Sequence, residues 1–121
     1  MTLWHAALVF VGGGAGALSR YLLDRTIQSR HRSDFPLGTL VVNLLGCALI
    51  GIVYGHSLRH GWNTTVSTLL AIGYCGGLTT FSTFAVESVH LLRHRRWQET
   101  VLYVGASCAV GIAAAALMYQ I

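Results

Sequence analysis

An all-α membrane protein of four transmembrane helices, the third broken near mid-membrane, is the fold class this sequence predicts. Three observations carry it. Apolar residues make up 54% of the 121 positions and charged residues only 10%, against about 25% charged in an ordinary soluble domain. Every Asp, Glu and Arg falls in residues 20–34, at Arg59, or in residues 87–99, and there is no Lys. Between these clusters lie four long apolar runs, at residues 3–23, 37–58, 64–92 and 97–121. Each is long enough for the roughly 20 helical residues needed to cross a hydrocarbon core about 30 Å thick. Trp4, Trp62 and Trp97 sit at or between the run ends, where an indole keeps its N–H wet while its ring meets lipid.

The first run carries Gly12, Gly13, Gly14 and Gly16, small residues that let helix backbones approach closely in lipid. No basic residue precedes it and no small-x-small cleavage site follows, so the expectation is a retained helix rather than a cleaved signal. Gly12-x-Gly14-x-x-Ala17, with Asp34 further on, imitates a dinucleotide fingerprint. The remaining apolar spans cannot supply the βαβ unit that such a site needs. Arg20 ends this helix and can snorkel to the interface or draw anions into a vestibule. The first loop, residues 24–36, is polar and holds the only proline.

The second run has Gly51 and Gly55 at G-x-x-x-G spacing, another packing surface. Asn43 is its one uncharged amide, and an unpartnered amide in hydrocarbon costs several kcal/mol. Two partners suit it: a group on a neighbouring helix, or an anion facing its NH₂ donor.

In the third run, Gly76-Gly77 is followed by Leu78-Thr79-Thr80-Phe81-Ser82-Thr83-Phe84. Each glycine costs about 1 kcal/mol in a helix relative to alanine, and Ser and Thr offer bonds that compete with the helix ladder. Two half-helices joined by an unwound segment are expected. Such a break is tolerated only where protein or a wet cavity satisfies the freed backbone groups, which points to an ion site. Phe81 and Phe84 share a helix face. They either pack or present their positive ring edges to a small anion. Glu87 follows one turn on. An intramembrane carboxylate is a functional candidate, the plainer reading being an interfacial partner for Arg93 or another loop arginine.

The fourth run is rich in small residues, including Gly105, Ser107, Gly111 and residues 113–116, which calls for a close protein neighbour. Cys47, Cys75 and Cys108 lie in three different spans without a C-x-x-C pair and read as small apolar residues. His56/His60 and His90/His94 have i, i+4 spacing but no carboxylate or cysteine at ligand spacing, so they read as interfacial histidines rather than metal ligands. The net charge of +4 follows from arginines at helix ends and reflects topology, not nucleic-acid binding.

The segment from Gly76 to Phe84, joined to Gly38-Thr39-Leu40-Val41-Val42-Asn43-Leu44 and the glycine-rich first helix ending in Arg20, resembles the Fluc, or CrcB, fluoride channel family over nearly the whole length. That resemblance implies an antiparallel dimer of four-helix subunits in the bacterial cytoplasmic membrane, with two fluoride pathways at the interface and a structural Na+ at its centre. By matched position, Asn43 would donate to fluoride, and Phe81 and Phe84 would line the pathway with ring edges. Thr39, Tyr103 and Ser107 would add hydroxyls, and Arg20 and Glu87 would stand in the vestibules. The carbonyls of Gly76 and Thr79 would coordinate Na+. Where the family carries a second serine a turn after Ser107, this chain has Gly111 and Ile112. A proton-coupled exporter of small cationic drugs would want a mid-membrane carboxylate on the first helix, and residues 12–17 supply none. A membrane-embedded enzyme would need a nucleophile and a base at matching depths, and no such pair is evident.

The arginines are distributed unevenly. With four spans, the first and third loops share a side and hold Arg20, Arg25, Arg30, Arg32, Arg93, Arg95 and Arg96, whereas Arg59 alone lies opposite. Short basic loops remain cytoplasmic, so the expectation is one orientation with both termini outside. An antiparallel homodimer would need both orientations. The bias therefore favours a homologous partner subunit of opposite topology.

Overall fold

The computed structural model describes residues 2–31 and 33–121, and almost all of them are helical. Helix α1 spans Leu3–Arg30 and α2 spans Leu37–His60. The third membrane segment is composite: α3 (Thr64–Ser67), a π-helical stretch (Thr68–Cys75), α4 (Gly76–Leu78) and α5 (Phe81–Arg93). Helix α6, Trp97–Gln120, completes the chain. Four helical segments, Leu3–Arg30, Leu37–His60, Thr64–Arg93 and Trp97–Gln120, are long and apolar enough to cross a membrane.

The ends of these elements follow from their residues. The Thr2 hydroxyl accepts the His5 N–H at the start of α1, and Asn63 Oδ1 accepts the Thr65 N–H at the start of α3, each satisfying a donor that has no partner within the helix. Gly61, at φ 63°, closes α2 in the left-handed region that glycine enters without penalty. Helix α1 runs to Arg30, so residues 24–30, expected to be loop, are helical. Gln28 explains this extension: its Nε2 donates to the Phe35 carbonyl at 3.1 Å and its Oε1 accepts the Gly38 N–H at 3.1 Å. The last turn of α1 thereby doubles as the cap of α2, whose own N-terminal residue Pro36 provides no side-chain cap.

Packing is set by backbone contacts at glycine. Helix α2 lies along α6, and α1 lies along the π-helical stretch and α4. A Cβ on Gly77 would overlap the Gly13 backbone, and one on Gly16 would overlap the Tyr74 carbonyl. Gly51 and Gly55 are held equally close to the Ala115 and Tyr119 backbones. Helix α5 is bound mainly to α6, with limited contact to α2. Large apolar side chains stand exposed around the bundle, Phe10 at 80% and Ile112 at 72% among them, as befits a surface facing lipid or another subunit rather than water.

Candidate anion site at the α4–α5 junction

Helicity ends at Leu78 rather than at the paired glycines. Gly76 and Gly77 are helical, whereas Thr79 (φ −88°, ψ 159°) and Thr80 (φ −148°, ψ 124°) are extended. The last ladder bond is donated by the Thr79 N–H to the Cys75 carbonyl at 3.1 Å. In a continuous helix the Thr80 N–H would donate to the Gly76 carbonyl. It donates instead to Asn43 Oδ1 at 2.8 Å, while Asn43 Nδ2 donates to the Thr80 carbonyl at 3.0 Å. The Asn43 side chain thus takes the place of a strand's edge, satisfying both backbone groups of one residue. The amide orientation follows, since only its oxygen can accept that N–H. The Gly76 carbonyl is thereby released from the helix ladder.

Helix α5 begins at once, with the Thr80 hydroxyl accepting the Thr83 N–H at 3.3 Å. Phe81 and Phe84 follow with ring centroids 5.8 Å apart, and Phe84 lies 5.2 Å from the Tyr103 ring. Phe81 is 78% exposed. An open groove of about 400 Å³ runs along this face and gathers Asn43, Gly76, Thr79, Phe81, Phe84 and Ser107. The Ser107 hydroxyl is buried without a hydrogen-bond partner, which leaves its proton and lone pairs free. Gly111 is buried one turn further on, and a Cβ there would lie 3.3 Å from Cys47 Sγ, so a larger residue would press on that thiol.

Thr39, Tyr103, Glu87 and Arg20 lie outside the groove. Tyr103 is fully buried, and its hydroxyl lies 3.5 Å from Glu87 Oε1. No ion pair joins Glu87 to Arg93: the ion pairs among the described residues are those of Arg96 with Asp34 (3.4 Å) and Glu99 (2.9 Å). Arg20 and Thr39 line a second cavity of about 200 Å³ together with Asp24 and Thr83. Arg20 Nη1 also donates to the Thr79 carbonyl at 3.4 Å. Thr80, which the sequence reading passed over, is where these contacts meet. Its place at the end of a Gly-Gly-x-Thr-Thr run, where an N-capping threonine precedes an apolar helix, was the available signal. The His56/His60 and His90/His94 ring centroids lie 5.4 and 4.2 Å apart in tilted pairs, and no group of three or more potential metal ligands forms among the described residues.

The family profile described as CrcB-like protein, Camphor Resistance (CrcB), matches residues 7–119. The chain belongs to the CrcB family. It is 50% identical over 114 residues to "Fluoride-specific ion channel FluC 2" of Rhodococcus jostii (strain RHA1), covering 94% of this chain and 95% of that one. It is 44% identical to "Fluoride-specific ion channel FluC" of Phocaeicola vulgatus over 87% of each chain. With "Fluoride-specific ion channel FluC 1" of Thermobifida fusca (strain YX) it shares 43% identity, over 93% of this chain and 90% of that one. This CrcB member is a multi-pass protein of a bacterial membrane and is not an enzyme.

Proposed function

We propose that this CrcB-family chain is a subunit of a fluoride-selective channel that lets fluoride leave the cell passively across the cytoplasmic membrane. The observation that carries the reading is the groove, which gathers an amide, two aromatic rings and a serine whose buried hydroxyl has no partner. Fluoride is small and strongly hydrated, so a pathway must replace its water with fixed donors. Ring edges of Phe81 and Phe84 supply positive potential without a mobile charge, and Asn43 Nδ2 keeps one proton beyond its bond to Thr80. Ser107, Tyr103 and Thr39 continue the polar track, and Arg20 and Glu87 stand at its approaches. Because the groove is open, its second wall is a second subunit arranged antiparallel to the first, with the α4–α5 interruption near mid-membrane.

A structural Na+ at the subunit interface suits part of this geometry. The Gly76 carbonyl is freed from the helix ladder and is a hard oxygen donor of the kind that unwound segments offer to Na+. The Thr79 carbonyl receives Arg20 Nη1 at 3.4 Å, which leaves its second lone pair for a cation, although the nearby guanidinium charge opposes one. Na+ there would neutralise carbonyl dipoles that otherwise face one another across the interface.

The arginine bias favours a heterodimer. Seven arginines flank one side and Arg59 the other, which sets one orientation, so the antiparallel partner is a homologous subunit of opposite bias. The absence of a hydroxyl at Gly111 accords with one complete pathway per pair. Fluoride efflux from liposomes holding the purified chain, followed with a fluoride electrode and with chloride as the control ion, tests the function. Equal fluoride and chloride permeation would refute it. Fluoride efflux only after addition of a homologous partner would support the heterodimer.

A further inference from the structure

Among the described residues, Thr80 alone lines both the Arg20 cavity and the Phe81/Phe84 groove. Its backbone is held on both sides by Asn43, at 2.8 and 3.0 Å. Its hydroxyl oxygen accepts the Thr83 N–H at 3.3 Å, its proton is donated to Thr83 Oγ1 at 3.3 Å, and Ser82 Oγ lies 3.2 Å away in a contact that either hydroxyl can donate. Those distances are long for O–H···O bonds, which center near 2.7–2.8 Å. The proton therefore has a weak acceptor in Thr83 and no strong one. An immobile backbone carrying a weakly committed O–H, set in the wall between two cavities, is what a transfer point for an anion requires. The donor can turn to the ion without any change in the fold.

We propose that Thr80 is a specificity-determining residue of the pathway: its hydroxyl proton turns from Thr83 to fluoride as the ion passes between the Arg20 cavity and the aromatic groove. This rests on the fluoride-channel reading. Arg20 offers its guanidinium to the anion in the cavity it shares with Asp24, Thr80 donates at the crossing, and the Phe81 edge and Ser107 hydroxyl receive the ion on the other side. Fluoride is the halide that gains most from a single short O–H donor, because it is the smallest and the strongest acceptor. Chloride gains less, so the step discriminates.

The test has two arms, both on the full-length assembled channel. In the first, fluoride efflux is measured for Thr80→Val and Thr80→Ser, with assembly checked by size exclusion. Valine keeps the shape and removes the proton; serine keeps the proton. Efflux at least tenfold lower for Val, and within about twofold of wild type for Ser, is expected. Wild-type efflux from the Val variant overturns the inference while leaving the channel reading intact, whereas absence of fluoride efflux from the wild-type assembly defeats the reading beneath it. The second arm uses the wild type, so it stands if the Val variant does not fold. In methyl-labelled threonine NMR, titration with NaF must move the Thr80 resonance and titration with NaCl must not. A Thr80 signal indifferent to fluoride overturns the inference, since a residue that merely caps α5 would not sense the ion.

Discussion

Replacing Asn43 by alanine removes both hydrogen bonds that hold the extended residue Thr80, at 2.8 and 3.0 Å. Thr80 is only 9% exposed, so its N–H and C=O would be left without a protein partner. Each buried group left unpaired costs about 1–3 kcal/mol, and the pair therefore about 2–6 kcal/mol. The lower end is the better guide, because hydrogen bonds in membrane proteins average near 0.6 kcal/mol where the unfolded chain finds other partners. A loss of about 2 kcal/mol in the competent arrangement corresponds to roughly a 30-fold fall in its ratio to the alternatives, so fluoride efflux should fall by up to that factor through lost bracing and further through the lost donor. Asn43 has two roles, donor to the anion and brace for Thr80, and amide hydrogen exchange separates them. The Thr80 amide should be protected in the wild type and exchange much faster in Asn43→Ala. If efflux falls while Thr80 protection is unchanged, the bracing argument is wrong and Asn43 acts only on the ion. If neither changes, both roles fail.

Phe81→Ile keeps apolar bulk and removes the aromatic edge; it should cut fluoride efflux strongly in a channel that still assembles, and unchanged efflux would refute the ring-edge role. Gly77→Ala sets a methyl group against the Gly13 backbone and should lower thermal stability by about 1–3 kcal/mol, while Gly14→Ala, inside α1 and meeting nothing within 4 Å, should raise the melting temperature slightly, since alanine is favoured over glycine in a helix by about 1 kcal/mol. Removing Cys47, Cys75 and Cys108 and placing one cysteine in the loop at residues 61–63 allows orientation to be read by membrane-impermeant labelling. Labelling from one face only is expected for the chain expressed alone. Labelling from both faces, with fluoride efflux from the lone chain, would restore the homodimer.

Much of this protein was determined by its sequence alone, because a bilayer leaves few solutions. Residues too apolar for water must form helices that satisfy their own backbones, and the charge clusters at residues 20–34 and 87–99 mark where those helices emerge. Hence four spans and the small-residue contacts at Gly51 and Gly55 were legible, as was the concentration of interest at Gly76 to Phe84. Tertiary structure decided what lies between distant residues. The capping threonine marked the start of α5, but the local pattern did not show that the paired glycines before it stay helical, which the close packing of Gly77 on the Gly13 backbone of α1 decides. Nor did the sequence indicate that the Asn43 amide, 37 residues away, would claim the Thr80 N–H and so free the Gly76 carbonyl. The length of α1 was misjudged for the same reason: Gln28 stabilises its last turn through Phe35 and Gly38, partners that only the folded chain brings together. Hydrophobic pattern is a local property and survives in the sequence. The pairing of one amide with one extended residue is a contact between helices, and only their packing fixes it.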